Sequence, residues 1–513
     1  MRHILKPNKT VCDTFVAKSR QLHDVIKQRS ALLLLGIPSI AFVAFSGLSV
    51  YWVTEPYDGL RIFQILLLMM LGLYAAFMRI QSTTLSVEMN RFITASLLLV
   101  FILVIGSVWQ SAHSARAIAD ASLYGLLAIG IWAQADLFRK YPSLASHIAA
   151  CLAIFPMLTA VYLLRAIFDA ATEKPFTEWH RIFSNIRMLD DALLPCLFLL
   201  WQRPAWLAEK SVNHPISNRI LSAAIYTISL IYLLILWYDG ARAVLCSIVL
   251  GLIFVAVFRR DQSSKLRLPI LTLLGSGLLF FILQHIIPHA SANKLLRTGS
   301  SGRDGLWNKA LELWQSHPIF GVGGDNFVVT NPWLLNGHPH NIPLQLISEW
   351  GVAGLLAMLL LAPILIQIYR HRQILPAFAV ASIIAVTIDA FMSGILVYPL
   401  SQMLGLWSLA WSISLLPTHA FQPVSLTSLN NKKYNVSSLQ KLLTSPWINW
   451  QFMLKIISVI AILAMLAVHG QDIICNQCTS IDPDNAPRFW QYGRALHLES
   501  LNSSIQEIGR NNQ

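Results

Sequence analysis

Residues 295–354 read LLRTGSSGRDGLWNKALELWQSHPIFGVGGDNFVVTNPWLLNGHPHNIPLQLISEWGVAG. This is the longest polar interruption in a chain otherwise built of apolar runs. It gathers Arg297, Arg303, His317, His338, His340, Asn341 and Glu349, with Trp307, Trp314 and a set of glycines. Everything outside it reads as a frame that holds it.

The frame is a membrane frame. Of the 513 residues, 55% are hydrophobic and 12% charged, about half the charge fraction of a soluble domain. Apolar runs recur, each long enough to cross a hydrocarbon core of roughly 30 Å. The fold class is therefore an all-α polytopic membrane protein with about a dozen transmembrane helices. The expected spans are 31–53, 62–78, 92–109, 119–137, 144–167, 191–206, 219–237, 243–258, 268–287, 343–369, 375–395, 399–416 and 450–469. A net charge of +13 would point to nucleic acid in a soluble protein; here it reflects Lys and Arg in cytoplasmic loops.

Basic residues also set the orientation. Arg2, Lys6, Lys9, Lys18, Arg20, Lys27 and Arg29 place residues 1–30 in the cytoplasm as an uncleaved N-terminal segment. Counting spans outward, Arg139-Lys140, Arg259-Arg260, Arg370-His371-Arg372 and Lys432-Lys433 fall on the same inner side. The division is helices one to nine over 31–287, an outer loop over 288–342, helices ten to thirteen over 343–469, and an outer tail over 470–513. In a Gram-negative bacterium the outer side of the inner membrane is the periplasm. Cys475 and Cys478 would there meet an oxidising compartment, and no second pair completes a zinc site.

Within the loop, Ser301-Gly-Arg-Asp304 resembles a capping box. It opens a helix whose apolar face carries Leu306, Trp307, Ala310, Leu313 and Trp314 and which closes at His317-Pro318. Such a helix is expected on the membrane surface, with its tryptophans at headgroup level. Gly321, Gly323 and Gly324 predict a flexible turn. Asn341 and Pro343 then suit the cap and first turn of the next helix. Its positive end favours phosphate and keeps a neighbouring histidine neutral, as a general base must be. Asn341, Gln345 and Glu349 recur every four residues as a polar stripe running into the membrane.

Two more arginines lie outside by the same count: Arg242 in Tyr238-Asp-Gly-Ala-Arg242 and Arg187 in Phe183-Ser-Asn-Ile-Arg187. With Arg297 and Arg303 they form a candidate diphosphate site, because a guanidinium keeps its charge and matches phosphate oxygens bidentately. Plainer roles exist for each residue. His340 could cap backbone groups, Arg242 could snorkel, and Glu349 could pair with an arginine. The His-x-His spacing invites a metal, but no carboxylate lies nearby in sequence.

The ordered set SGR, W, HP-x-x-G-V-G, HPHN, Q and E-x-G over 301–351, with the Gly-x-Arg turn ending at Arg242, resembles the O-antigen ligase superfamily. That group includes lipid A-core ligases, O-antigen polymerases and pilin-type protein O-oligosaccharyltransferases. Asn185-Ile-Arg187 and Tyr398-Pro-Leu-Ser-Gln402 are weaker parallels. The resemblance implies a GT-C-like inner-membrane enzyme, metal-independent, inverting and without a cofactor. It would pass a glycan from undecaprenyl diphosphate to an acceptor hydroxyl at a periplasmic site. By it, His340 activates the hydroxyl and Glu349 orients the loop or the histidine. Arg242 and Arg303 bind diphosphate, with Arg297 and Arg187 as further candidates, and His338, Asn341 and Gln345 support. Two departures stand out: Gly-Ala precedes Arg242 where Ser-containing versions are common, and the large soluble C-terminal domain of some pilin-type members is not expected in this sequence. A pilin-type acceptor is slightly favoured over lipid A-core. A polymerase shares the chemistry, and a lipid-linked glycan transporter is the rival from another class.

Overall fold

The computed structural model describes residues 56–77, 87–142, 168, 172, 186–202, 215–286, 302–327, 337–417 and 450–474. Among these residues every regular element is a helix. In chain order they are α1 (Pro56–Phe77), α2 (Val87–Gln110), α3 (Ser114–Lys140), α4 (Ile186–Gln202), α5 (Pro215–Asp239), α6 (Arg242–Phe258) and α7 (Arg267–Ile286). There follow α8 (Arg303–Ser316), α9 (Ile342–Trp350), α10 (Val352–Arg370), α11 (Ala377–Asp389), α12 (Pro399–Ser414) and α13 (Trp450–Ile474). A 3-10 turn, Arg260–Leu266, joins α6 to α7.

Seven helices among the described residues, α1, α2, α3, α5, α7 with its preceding turn, α10 and α13, are long and apolar enough to cross a membrane. The protein is a multi-pass membrane protein. Its outward faces agree: on α7 Leu271, Leu274, Leu278 and Phe281 are exposed, as an aliphatic face bathed in lipid would be. The expected spans 31–53 and 144–167, Arg297, Lys432-Lys433, Cys475 and Cys478 lie outside the described residues.

Two groups of helices pack side by side. In one, α3 packs on α1, α2 and α13, and α10 leans on α2. In the other, α4 packs on α5, α6 and α11, and α7 on α5. Helix α12 touches α1, α3, α4 and α11 and joins the two. One end of the bundle is basic. There Arg139 donates to the Ile413 carbonyl at 2.9 Å, and Arg259 reaches the carbonyls of Arg372 and Leu375. The three described basic loops thus share one end, as the spacing of spans requires. The other end carries the polar site.

The expected single span 343–369 is two helices. Helix α9 has nine residues, about 13 Å at 1.5 Å per residue, too short to cross a bilayer. It breaks from α10 at Gly351, whose backbone takes φ 56 and ψ −130. Chain from the 319–323 turn lies against this break. Val322 N–H donates to the Ser348 carbonyl at 3.0 Å, Gly323 N–H to Glu349 at 2.8 Å, and Val352 N–H to Ile319 at 2.9 Å. A Cβ at Gly321 would stand 2.3 Å from the Glu349 carbonyl, so this glycine turn is fixed rather than flexible.

The Asn-Gln-Glu stripe accordingly does not descend a spanning helix. Its side chains bond to neighbouring protein segments, as described below.

Candidate active site

Helix α8 starts differently from the capping-box expectation. Its N-cap is Gly302, left-handed at φ 80, and no side chain caps it. The apolar face is as read: Leu306, Ala310 and Leu313 are buried against Phe327, with Trp307, Val322 and Leu344 beside them. Trp307 faces inward, not to headgroups. Its indole N–H donates to the Pro339 carbonyl at 3.0 Å and so ties α8 to the HPHN segment. Trp314 stays exposed.

The HPHN segment is held at each residue. Asn341 caps α9 as expected, its Oδ1 accepting the Leu344 N–H at 3.0 Å. Its Nδ2 donates to the Phe391 carbonyl at 3.0 Å. His340 is left-handed, at φ 52. A non-glycine residue pays strain there, and such strain persists only where surroundings fix it. His338 does much of the fixing: its Nδ1 accepts the His340 backbone N–H at 3.2 Å. An accepting Nδ1 leaves the proton on Nε2, which lies 3.1 Å from the Tyr398 hydroxyl. The rings of His338 and His340 lie 4.2 Å apart. Gly394 makes room, since a Cβ there would sit 2.5 Å from His338 Cε1.

The imidazole of His340 is half-buried, and among the described residues neither ring nitrogen carries a hydrogen bond. Burial first, then the charges of Arg303 and Arg187, push its pKa down to about 4. The ring is neutral near pH 7 with its lone pair open.

Arg303, in the first turn of α8, is half-buried and makes no hydrogen bond or ion pair among the described residues. Burial lowers its pKa, and the positive charges of Arg187 and Arg242 act the same way, while Asp389 and Asp191 oppose them. Arg187 is paired with Asp190 Oδ2 at 3.0 Å. Arg242 is exposed at the start of α6, after the tight Gly240 turn at φ 63. Arg303 thus lies within electrostatic reach of Arg187, Arg242 and His340, and Arg187 within reach of His340.

Gln345 and Glu349 are fully buried. Gln345 Nε2 reaches the Tyr124 hydroxyl at 3.4 Å. Glu349 Oε1 accepts the Phe327 N–H at 3.2 Å, so this carboxylate holds the loop that follows α8. Among the described residues no group of three or more His, Cys, Asp or Glu side chains is placed to hold a metal ion.

Sequence reasoning missed the carboxylates. Asp190, Asp191, Asp239 and Asp389 are all fully buried around the arginines. Ser393 Oγ lies 2.7 and 2.9 Å from the two oxygens of Asp191. Among the described residues both oxygens of Asp389 lack a hydrogen-bond partner. The signal was available, because acidic residues at the ends of apolar runs are costly and mark functional interiors. Tyr398 was noted in sequence, but not as a partner of His338.

Comparison with known proteins adds one match. No curated protein matches the chain. Residues 227–359 match the family model described as O-Antigen ligase, a range that includes Arg242, Arg303, His340 and Glu349 but not Arg187, Asp389 or Tyr398. Over residues 227–359 the chain is thus similar to the O-antigen ligase family, a likeness that supports glycan transfer of the ligase or polymerase type.

Proposed function

We propose that the protein transfers a glycan from undecaprenyl diphosphate to an acceptor hydroxyl at the periplasmic face of the bacterial inner membrane. The carrying observation is the neutral imidazole of His340, unbonded at both ring nitrogens among the described residues, beside the charges of Arg303 and Arg187. His340 takes the proton of the acceptor hydroxyl. The oxygen attacks the anomeric carbon from the face opposite the diphosphate, the sugar–phosphate C–O bond breaks, and configuration inverts. The diphosphate leaves with its charge held by Arg303 and Arg242, with Arg187 and Arg297 as further cations. Glu349 acts by holding the 322–327 loop, and His338, Asn341 and Gln345 keep His340 and α9 in place.

An apolar groove supports a lipid-linked donor. It encloses about 320 Å3 and is lined by Phe101, Tyr124, Trp132, Leu346, Ala357 and Leu454 among others. It extends ~17 Å along α3, from Ala121 to Trp132, roughly the depth of one leaflet. Two of its lining residues, Leu346 and Trp350, belong to α9, the helix that begins just after His340. The donor's isoprenoid chain lies there. For the acceptor, the likeness of Asn185-Ile-Arg187, Tyr398-Pro-Leu-Ser-Gln402 and Pro487-Arg488-Phe-Trp490 to pilin-type transferases slightly favours a Ser or Thr of a protein such as type IV pilin over lipid A-core.

The test is transfer by the purified protein in lipid nanodiscs, with an undecaprenyl-diphosphate glycan and either pilin or lipid A-core as acceptor. His340→Ala should abolish transfer while the protein still inserts. Near-normal transfer by that variant would remove the base assignment. Pilin mass and lipopolysaccharide banding after gene deletion decide the acceptor.

A further inference from the structure

The histidines of the site rest on a residue almost 280 positions earlier in the chain. Arg61, in the second turn of α1, is 1% exposed. Its guanidinium donates to the Val397 carbonyl at 2.8 Å, Gln402 Oε1 at 2.8 Å, Gln64 Oε1 at 2.6 Å and the Tyr57 hydroxyl at 3.0 Å. Gln402 Nε2 in turn donates to the Leu396 carbonyl at 2.6 Å. Removing a guanidinium from water costs several kcal/mol, and only a full set of acceptors offsets it. Here much of that set belongs to one short segment, 396–402, gripped from α1.

That segment delivers Tyr398. Its hydroxyl meets His338 Nε2 at 3.1 Å, and His338 Nδ1 accepts the N–H of His340. We propose that Arg61 is a positioning residue for glycan transfer: by fixing the Val397 carbonyl it sets Tyr398, which holds His338 in the Nε2–H tautomer that pins His340 in its left-handed conformation. The chain of bonds runs Arg61, Val397, Tyr398, His338, His340, with each step made by a named pair. This rests on His340 being the base. Arg61 itself touches no substrate in this scheme, because Arg303 and Arg242 bind the diphosphate.

The test uses the full-length protein in nanodiscs and two variants, Arg61→Lys and Tyr398→Phe. Lysine keeps the charge, but a single ammonium cannot span acceptors placed around a planar fork. Each variant should lower kcat about tenfold or more while leaving the donor KM within about twofold. Histidine-directed acylation with diethyl pyrocarbonate, read by peptide mass, should modify His340 at least about threefold faster in both, since the ring is no longer held.

Unchanged kcat in folded Arg61→Lys overturns the inference. So does a loss confined to donor KM, which would make Arg61 a diphosphate ligand. If Arg61→Lys fails to insert, Tyr398→Phe decides: normal kcat and normal acylation break the chain. The acylation readout also separates this idea from the base assignment. Active His340→Ala with faster acylation in Arg61→Lys would sink the base and leave the positioning intact.

Discussion

Arg303 stands close enough to His340 that its guanidinium is, after burial, the strongest influence holding the imidazole neutral. A base pushed down to about 4 is available at every physiological pH but accepts a proton weakly. On the proposed function, a diphosphate seated among Arg303, Arg187 and Arg242 would screen the cations, add negative charge and so strengthen the base when a donor is present.

This fixes the sign of the pH dependence. A base with a depressed pKa loses activity as pH falls through that value, so the acid limb of kcat/KM should lie nearer 4 than 6.5. Replacing Arg303 with Gln removes a cation that depresses His340. The acid limb should then move up, by about half a unit or more, alongside the loss of affinity for the donor. Rate profiles between pH 4 and 8 check both. A limb unmoved in Arg303→Gln would mean that the limb belongs to another group.

Gly351 carries the break between α9 and α10. Alanine there meets both a forbidden backbone region and the Ile319 carbonyl, 2.5 Å from its Cβ. Gly351→Ala should cost about 2–3 kcal/mol and lower transfer with it. Thermal unfolding in detergent and transfer rate should fall together. Alanine tolerated in both would mean that the break is not held as described.

Glu349 separates two roles by one substitution. If it holds the loop through the Phe327 N–H, Glu349→Gln keeps an acceptor oxygen, and transfer should stay within about threefold of the parent. Glu349→Ala, which leaves that N–H buried without a partner, should lose about tenfold or more. A glutamine variant as dead as the alanine one would instead make the charge itself necessary.

Narrowing the groove tests the lipid path. Gly125 lines the groove, and a Cβ there has only ordinary contacts, 3.9 Å to Ala461 and Ile457, so Gly125→Leu starts a larger side chain at the groove wall. Donor KM should rise about tenfold or more while kcat holds. The rise should vanish with a short-chain donor. A higher KM that persists with the short donor would place the isoprenoid chain elsewhere.

Much of the site could be read along the chain. Asn341 and Pro343 start α9 because capping is local chemistry, decided within four residues. His317 ends α8 for the same reason. The break at Gly351 was not readable, because it depends on the 319–323 turn bonding to residues near 350. Trp307 looked like an interface anchor and instead holds Pro339, since its partner comes from another stretch.

Composition and the spacing of apolar and basic residues determined that the chain crosses a membrane, and set the expectation that Arg187, Arg242, Arg303 and His340 belong to one side. Those are one-dimensional properties, set by run length and loop charge. Only tertiary structure decided that His340 is held left-handed by His338, that four buried aspartates surround the arginines, and that Arg61 supports the far side of the site. Each depends on side chains brought together by helix packing, across separations that no local pattern records.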